Sequence, residues 1–181
     1  ERFESMVRYS SDIITVLEPD GTWRSSSAGG ARLLGYPEGY DPPGGIFSLI
    51  HPDDVETAVS LFERSVAGDL DSDECVELRV IDTRGDVHIV ESVVQNLIDN
   101  PAVRGVVINT RDITARRRAE EATRLSEESF RSLADAVPVG IFDIGLDGTR
   151  NFENQFMLDL SDGVVPEPPE GWRALVHPDH Q

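Results

Sequence analysis

The sequence predicts an α+β domain built on five strands, with a helical connector and the opening of a second copy behind it. Two observations carry that prediction. Extended, β-branched runs fall in two groups, two before and three after a helical middle segment, a pattern that suits a mixed domain better than alternating βα units. The opening residues also return later in the chain. Phe3-Glu4-Ser5-Met6-Val7 resembles Phe130-Arg131-Ser132-Leu133-Ala134, Ile14 matches Ile141, and Asp20-Gly21 matches Asp147-Gly148, all at an offset of 127 residues. Leu49-Ile50-His51-Pro52-Asp53 then matches Leu175-Val176-His177-Pro178-Asp179 at an offset of 126. A period this long marks a tandem domain duplication, not a solenoid unit. The second copy stops soon after its His-Pro-Asp, so it is expected to lack most of its core.

The elements follow in order. Phe3, Met6 and Val7 stand at helical spacing, predicting a short amphipathic helix over residues 2–9. Ile13–Leu17 is a β-branched strand, Pro19-Asp20-Gly21 a hairpin turn, and Thr22–Ser25 the returning strand. Residues 28–50 are broken by Gly and Pro into short helices and turns, with Leu33-Leu34 ending on Gly35 as a cap. Pro52-Asp53-Asp54 opens a longer helix, its carboxylates facing the positive end of the helix dipole. Val55, Val59, Phe62 and Val66, with Ala58, supply its apolar face. Three extended runs close the domain: 76–82, 87–98 and 103–110. Short connections through Arg84-Gly85-Asp86 and Asp99-Asn100-Pro101 make their neighbours antiparallel.

Composition excludes several functions. The net charge is −18 and every cationic side chain is Arg, so the surface repels a phosphate backbone and no nucleic-acid partner is expected. No apolar run reaches the length of a membrane span, and no signal-peptide pattern opens the chain. Cys75 is the single cysteine, which rules out an internal disulfide and suits a reducing, cytoplasmic compartment. It sits in a strand-like run and reads as a small hydrophobe. No Gly-x-Ser-x-Gly, His-Glu-x-x-His, Walker or dinucleotide motif is present, so the chain is not expected to be an enzyme. His51, Asp53 and Asp54 read as a helix start, not as metal ligands. His88, between Val87 and Ile89, is expected to turn to the surface. His-Pro-Asp also occurs in J-domains, but those need a basic helix before it, and the preceding stretch here is Gly- and Pro-rich and uncharged.

In this order, the Asp-Gly hairpin, Leu34-Gly35-Tyr36, His51-Pro52-Asp53-Asp54, Arg84-Gly85-Asp86 and Asp112-Ile113-Thr114-Ala115-Arg116 resemble the PAS domain and its C-terminal cap. The resemblance covers residues 1–118 and again 128–181. It implies a five-stranded antiparallel sheet with helices on one face and a pocket between the sheet and the long helix. The expected organisation is a complete PAS sensor domain over residues 1–113, a helical signalling connector over 114–129, and a truncated second PAS domain over 130–181. The implied function is that of a sensory and relay module in a larger signalling protein: a histidine kinase, a cyclic-di-GMP enzyme or a transcription regulator. The alternative is a ligand-free PAS domain serving protein interaction or dimerisation.

Leu33, Phe62, Leu78, Val90 and Val107 are the candidate pocket lining, being apolar positions in the elements that surround such a cavity. No cofactor is identified. The flavin light sensors of the family need an Asn-Cys-Arg-Phe context that Cys75 lacks, and the haem sensors need an axial His that residues 55–67 do not contain. Asp112, Ile113, Thr114 and Arg116 are the expected signal exit, with Thr114 as the N-cap of the connector helix. Ala115–Leu133 contains no Gly or Pro and carries only a thin stripe of Ala119, Ala122, Leu125, Ser129 and Leu133. Such a helix is marginal alone and steadier against a second copy, with a solvated spacer helix as the equal alternative. The expected partners are therefore a small-molecule ligand, a homodimer formed through the N-terminal and connector helices, and a downstream output domain.

Overall fold

The computed structural model describes residues 12–160 except 38, 39, 41, 71–73 and 148. It divides into two compact units, Glu1–Arg118 and Ala119–Gln181. The helix expected over residues 2–9 and the second His-Pro-Asp at 177–179 lie outside the described residues.

The first unit is a five-stranded antiparallel sheet with helical elements between β2 and β3. Its strands are β1 (Ile13–Leu17), β2 (Trp23–Ser26), β3 (Cys75–Ile81), β4 (Val87–Leu97) and β5 (Gly105–Asp112), in the spatial order β2-β1-β5-β4-β3. Alternation along each strand separates a face packed under the helices from an outer face. Thus β1 buries Ile13, Thr15 and Leu17, while β4 buries Val90, Ser92 and Val94. β5 starts hard against β1: a Cβ on Gly105 would lie 2.6 Å from the Leu17 carbonyl oxygen, closer than side chains approach backbone. Glycine is what lets the two central strands meet there.

The helices close over this face. α1 (Ala28–Leu34) ends on Gly35, whose φ of 73° is the left-handed cap that the sequence predicts. α2 (Val55–Ala67) buries Ala58, Leu61, Phe62 and Ser65, with Val59 and Val66 only half-buried at its margins. Of the expected face, Ala58 and Phe62 are buried, while Val55, Val59 and Val66 lie at its margins. Leu61 and Ser65, one turn apart, lie closer to the centre of the packed face than the valines do. Leu17, Leu61, Phe62, Val94 and Val106 form the main core cluster. Each such buried apolar side chain contributes about 1.5–3 kcal/mol.

Pro52–Asp54 is a 3-10 turn that leads into α2. Its carboxylates stand at the helix start as expected, but Asp54 makes no side-chain cap bond there and pairs instead across to the sheet. Asp54 accepts from two guanidinium nitrogens, Nε and Nη2, and the backbone N–H of Arg79 on β3, at 2.6–2.9 Å, and Asp53 lies 3.3 Å from the same guanidinium. The strand edge offers a bidentate cation, a stronger partner than a helix terminus. The Arg79 hydrogen bonds hold the Asp54 carboxyl at about 2, below the usual 3.8.

In the second unit, α3 (Thr114–Ala136, shared with the first unit up to Arg118) continues from Ala119 and is followed by β6 (Phe142–Ile144), β7 (Arg150–Glu153) and α4 (Gln155–Leu160). The β6–β7 hairpin repeats β1–β2 bond for bond at the offset of 127. Phe142 opposes Glu153 as Thr15 opposes Ser26, and the register slips after Asp143 as it does after Val16. Thr149 N–H donates to Asp147 as Thr22 N–H donates to Asp20. Ile141 and Asn154 exchange bonds as Ile14 and Ser27 do, through one backbone carbonyl and one side-chain oxygen. Asn154 is fully buried, and its amide also donates to the carbonyls of Ala134 and Val139.

A depressed carboxyl pKa gives stability that is complete above the unfolded value and lost as pH falls through the folded one. Asp54→Asn should therefore cost about 1 kcal/mol at pH 7, after allowance for solvent screening of the half-exposed guanidinium. The gap from wild type should close between pH 4 and pH 2. Urea titrations across that range measure it.

Candidate functional site

The helices do not fill the space over the sheet. They leave a cavity of about 460 Å3 in the first unit, within the range of small-molecule sites. Its floor is made by in-phase residues of four strands: Thr15 of β1, Leu78 of β3, Val90, Ser92 and Val94 of β4, and Ile108 and Thr110 of β5. Leu33 of α1 and Ala58 and Phe62 of α2 form the opposite wall. Trp23, Tyr36, Tyr40 and Phe47 also line it. Tyr36 and Tyr40 stack at 4.3 Å, while Phe47 and Phe62 meet edge to face at 5.9 Å.

Of the five residues proposed from sequence, Leu33, Phe62, Leu78 and Val90 line this cavity. Val107 does not. It stands between Val106 and Ile108 on β5, and a period of two puts it on the outer face. Val106 is the fully buried residue, in the core cluster beside the cavity, and Ile108 lines the cavity itself. Sequence reasoning also missed the hydroxyls. Ser92 is in phase with Val90 and Val94, and Thr110 with Ile108, so a small polar residue in step with an apolar run was the available signal. His88 follows the same phase. It is half-buried on the Val90 face with Nε2 3.4 Å from Asp82, instead of turned to the surface.

The signal-exit residues converge on β4. The Ile113 N–H donates to the Ile89 carbonyl at 2.9 Å. Thr114 is the first residue of α3, and its hydroxyl accepts from Ile89 N–H at 2.9 Å and donates to Asp112 at 2.5 Å. Asp112 accepts from Thr114 N–H as well. The expected N-cap role of Thr114 is thereby corrected: its hydroxyl ties the helix start to the sheet, and the Asp112 carboxylate receives the N–H. Two residues further along β4, Glu91 opposes Glu77 of β3. Two like charges in register repel. Arg116 reaches Glu91 at 3.3 Å and Arg117 reaches Glu77 at 3.1 Å, so the first turns of α3 neutralise the pair. β4 therefore serves both structures. Ile89 and Glu91 hold the helix, while Val90 and Ser92, between and beside them, floor the cavity.

Among the described residues no group of His, Cys, Asp or Glu is placed to hold a metal ion. The His51 ring accepts from the Asp53 N–H at 3.3 Å. Cys75 is exposed at the start of β3, and its thiol is pushed up from the ordinary value by partial burial and by the carboxylates of Glu91 and Glu77. No helix among the described residues is long and apolar enough to cross a membrane.

Thr114→Val keeps the shape of the side chain but orphans the Ile89 N–H and a carboxylate hydrogen bond. It should cost about 1–2 kcal/mol. In hydrogen exchange, the amides of residues 113–118 should lose protection selectively, with the β4–β5 ladder nearly unchanged.

Comparison with known proteins bears on this geometry. No protein-family model matches the sequence. The crystal structure of a sensory box histidine kinase/response regulator from Burkholderia thailandensis is 29% identical, has a TM-score of 0.52, and the match covers 73% of this chain and 99% of that one. That of a PAS domain from Colwellia psychrerythraea is 23% identical with a TM-score of 0.53, covering 63% and 96%. An uncharacterized protein of Sinorhizobium fredii, y4lL, is 28% identical over 178 residues. That match takes in 92% of this chain, which spans about a fifth (21%) of the relative's length.

Proposed function

On the PAS fold that this chain carries, we propose a sensory and relay function: the cavity of the first unit takes up a small molecule, and β4 transmits its occupancy to the start of α3. The observation that carries the reading is the alternation of β4, whose neighbouring residues touch the cavity and the helix in turn. A shift of Val90 or Ser92 moves Ile89 and Glu91 with it, because one backbone bears all four. Asp112, Ile113, Thr114 and Arg116 act as the exit. The cavity of about 460 Å3 favours this reading over a ligand-free interaction domain with a filled core.

The chain itself performs no chemistry in this reading. It serves a larger cytoplasmic signalling protein, and the likeness to a sensory box histidine kinase favours a kinase as output. Residues 130–181 would open a second PAS module, a reading supported by the hairpin bonds repeated at an offset of 127. The connector stripe, with Leu125 and Leu133 exposed, suits a homodimer.

Native mass spectrometry of the freshly purified chain, with an absorbance spectrum of the same sample, tests the sensory half. A retained small mass, reduced by Ala58→Leu, is the expected result, since the larger side chain enters the cavity wall. An apo mass in both would move the reading to the ligand-free alternative. For the relay half, Asp112→Ala should leave the sheet folded and free residues 113–118 from any ligand-dependent change in exchange.

A further inference from the structure

We propose that the cavity takes a neutral, largely apolar, ring-containing molecule that presents a hydrogen-bond acceptor, such as a carbonyl oxygen, to the Ser92–Thr110 hydroxyl pair. The proposal rests on the reading of this cavity as a ligand site.

Charge decides the first part. Among the described residues, the cavity lining contains no Asp, Glu, His or Lys, and a single Arg, Arg24. Arg24 is not available to an anion. It forms a two-pronged pair with Glu18, at 2.6 Å on both arms, and donates to the carbonyls of Val103 and Arg104 at 2.5 and 2.6 Å. Four of its five N–H groups are thus committed. A carboxylate, phosphate or ammonium entering the cavity would leave water without meeting a free counter-charge among the described residues, at a cost of several kcal/mol. The walls instead offer aliphatic side chains and the rings of Trp23, Tyr36, Phe47 and Phe62, surfaces suited to a flat apolar body.

The hydroxyls decide the second part. The cavity floor carries two hydroxyl pairs on neighbouring strands. Thr15 and Ser26 are 3.2 Å apart, and Ser26 also lies within 3.4 Å of the Ser27 carbonyl. One proton can go between the two side chains and the other to that carbonyl, so the protein satisfies this pair itself. Ser92 and Thr110 are 2.9 Å apart, in register on β4 and β5. Two hydroxyls carry two protons, and their mutual bond uses one. The second O–H is left over, on Ser92, which is only 5% exposed, or on the half-buried Thr110. A buried donor without an acceptor costs about 1–3 kcal/mol, which an acceptor on the ligand removes. The pair also sits two residues from Val90 and Asp112, which oppose each other in the same register. A bond made here pulls on the strands that carry the exit residues.

Three probes of nearly equal shape test the proposal on the chain as it stands: 2-acetylnaphthalene, 2-ethylnaphthalene and 2-naphthoate, the last fully ionised at pH 7.5. Affinities are read from amide NMR shifts of the cavity residues, in the wild type and in Ser92→Ala/Thr110→Val. The double substitution is needed, since either hydroxyl left alone keeps a free proton. Naphthoate should bind at least about 50-fold more weakly than the ketone. The ketone-to-ethyl affinity ratio should fall about tenfold in the double variant. Unchanged ethylnaphthalene binding there shows that the cavity is intact. If naphthoate rivals the ketone, or the ratio does not move, the proposal is overturned while the cavity remains a ligand site. If none of the probes shifts the cavity amides of the wild type, the sensory reading fails with it.

Discussion

The pairing of β1 with β5 is the constraint on which the rest of the first unit depends. It joins residues about ninety positions apart, from Ile13 opposite Thr110 to Leu17 opposite Val106, in the middle of the sheet. Closing so long a loop is entropically unfavourable and is offset only when everything between is packed. That includes the helical elements, which must then lie over the face that Leu17, Val94 and Val106 present. Gly105 is the local condition for it, because a side chain there would meet the Leu17 carbonyl. Arg24 seals the same corner, binding the carbonyls of Val103 and Arg104, the latter the one non-glycine at positive φ among the described residues.

The sheet's two faces then take different work. One face carries the core and the cavity. The other carries charge: Glu77, Glu91 and Arg111 on adjacent strands, with Asp12 on Arg111 at 2.8 Å and the arginines of α3 over the glutamates. Each exposed pair is worth little alone. Their collective effect is positional, since repulsion between opposed glutamates is relieved only when the first turns of α3 stay beside β4. In a chain with a net charge of −18 and no lysine, arginine suits this role, because its planar fork binds a carboxylate with two bonds.

Much of this was legible in the residues. β-branched runs and Asp-Gly turns located the strands to within two residues, since alternation and turn chemistry are local. The glycine after Leu34 ended its helix as expected. Where a reading depended on phase, it was exposed to a one-residue error, and Val107 shows the consequence. A run of Val106, Val107 and Ile108 is apolar on both faces, and the mark of which residue points inward lies further along, where the polar Asn109 and Arg111 share the phase of Val107. The stripe of α2 held in part: Ala58 and Phe62 are buried as expected, while Val55, Val59 and Val66 flank the packed face that Leu61 and Ser65 share.

By itself, then, the sequence determined what is local or repeated: the kinds and order of elements, the caps and turns, the exclusion of common catalytic motifs, and an offset of 127 that reappears as matching hairpin bonds in both units. Only the tertiary structure decided which strands are neighbours, which face each residue shows, and where the unfilled space lies. It also redirected the polar groups. Asp54 turned to Arg79, Thr114 to Ile89, and Arg24 to Glu18 with two backbone carbonyls. The physical reason is the same in each case. A side chain takes the strongest partner within reach, and reach is set by contacts between residues far apart in the chain.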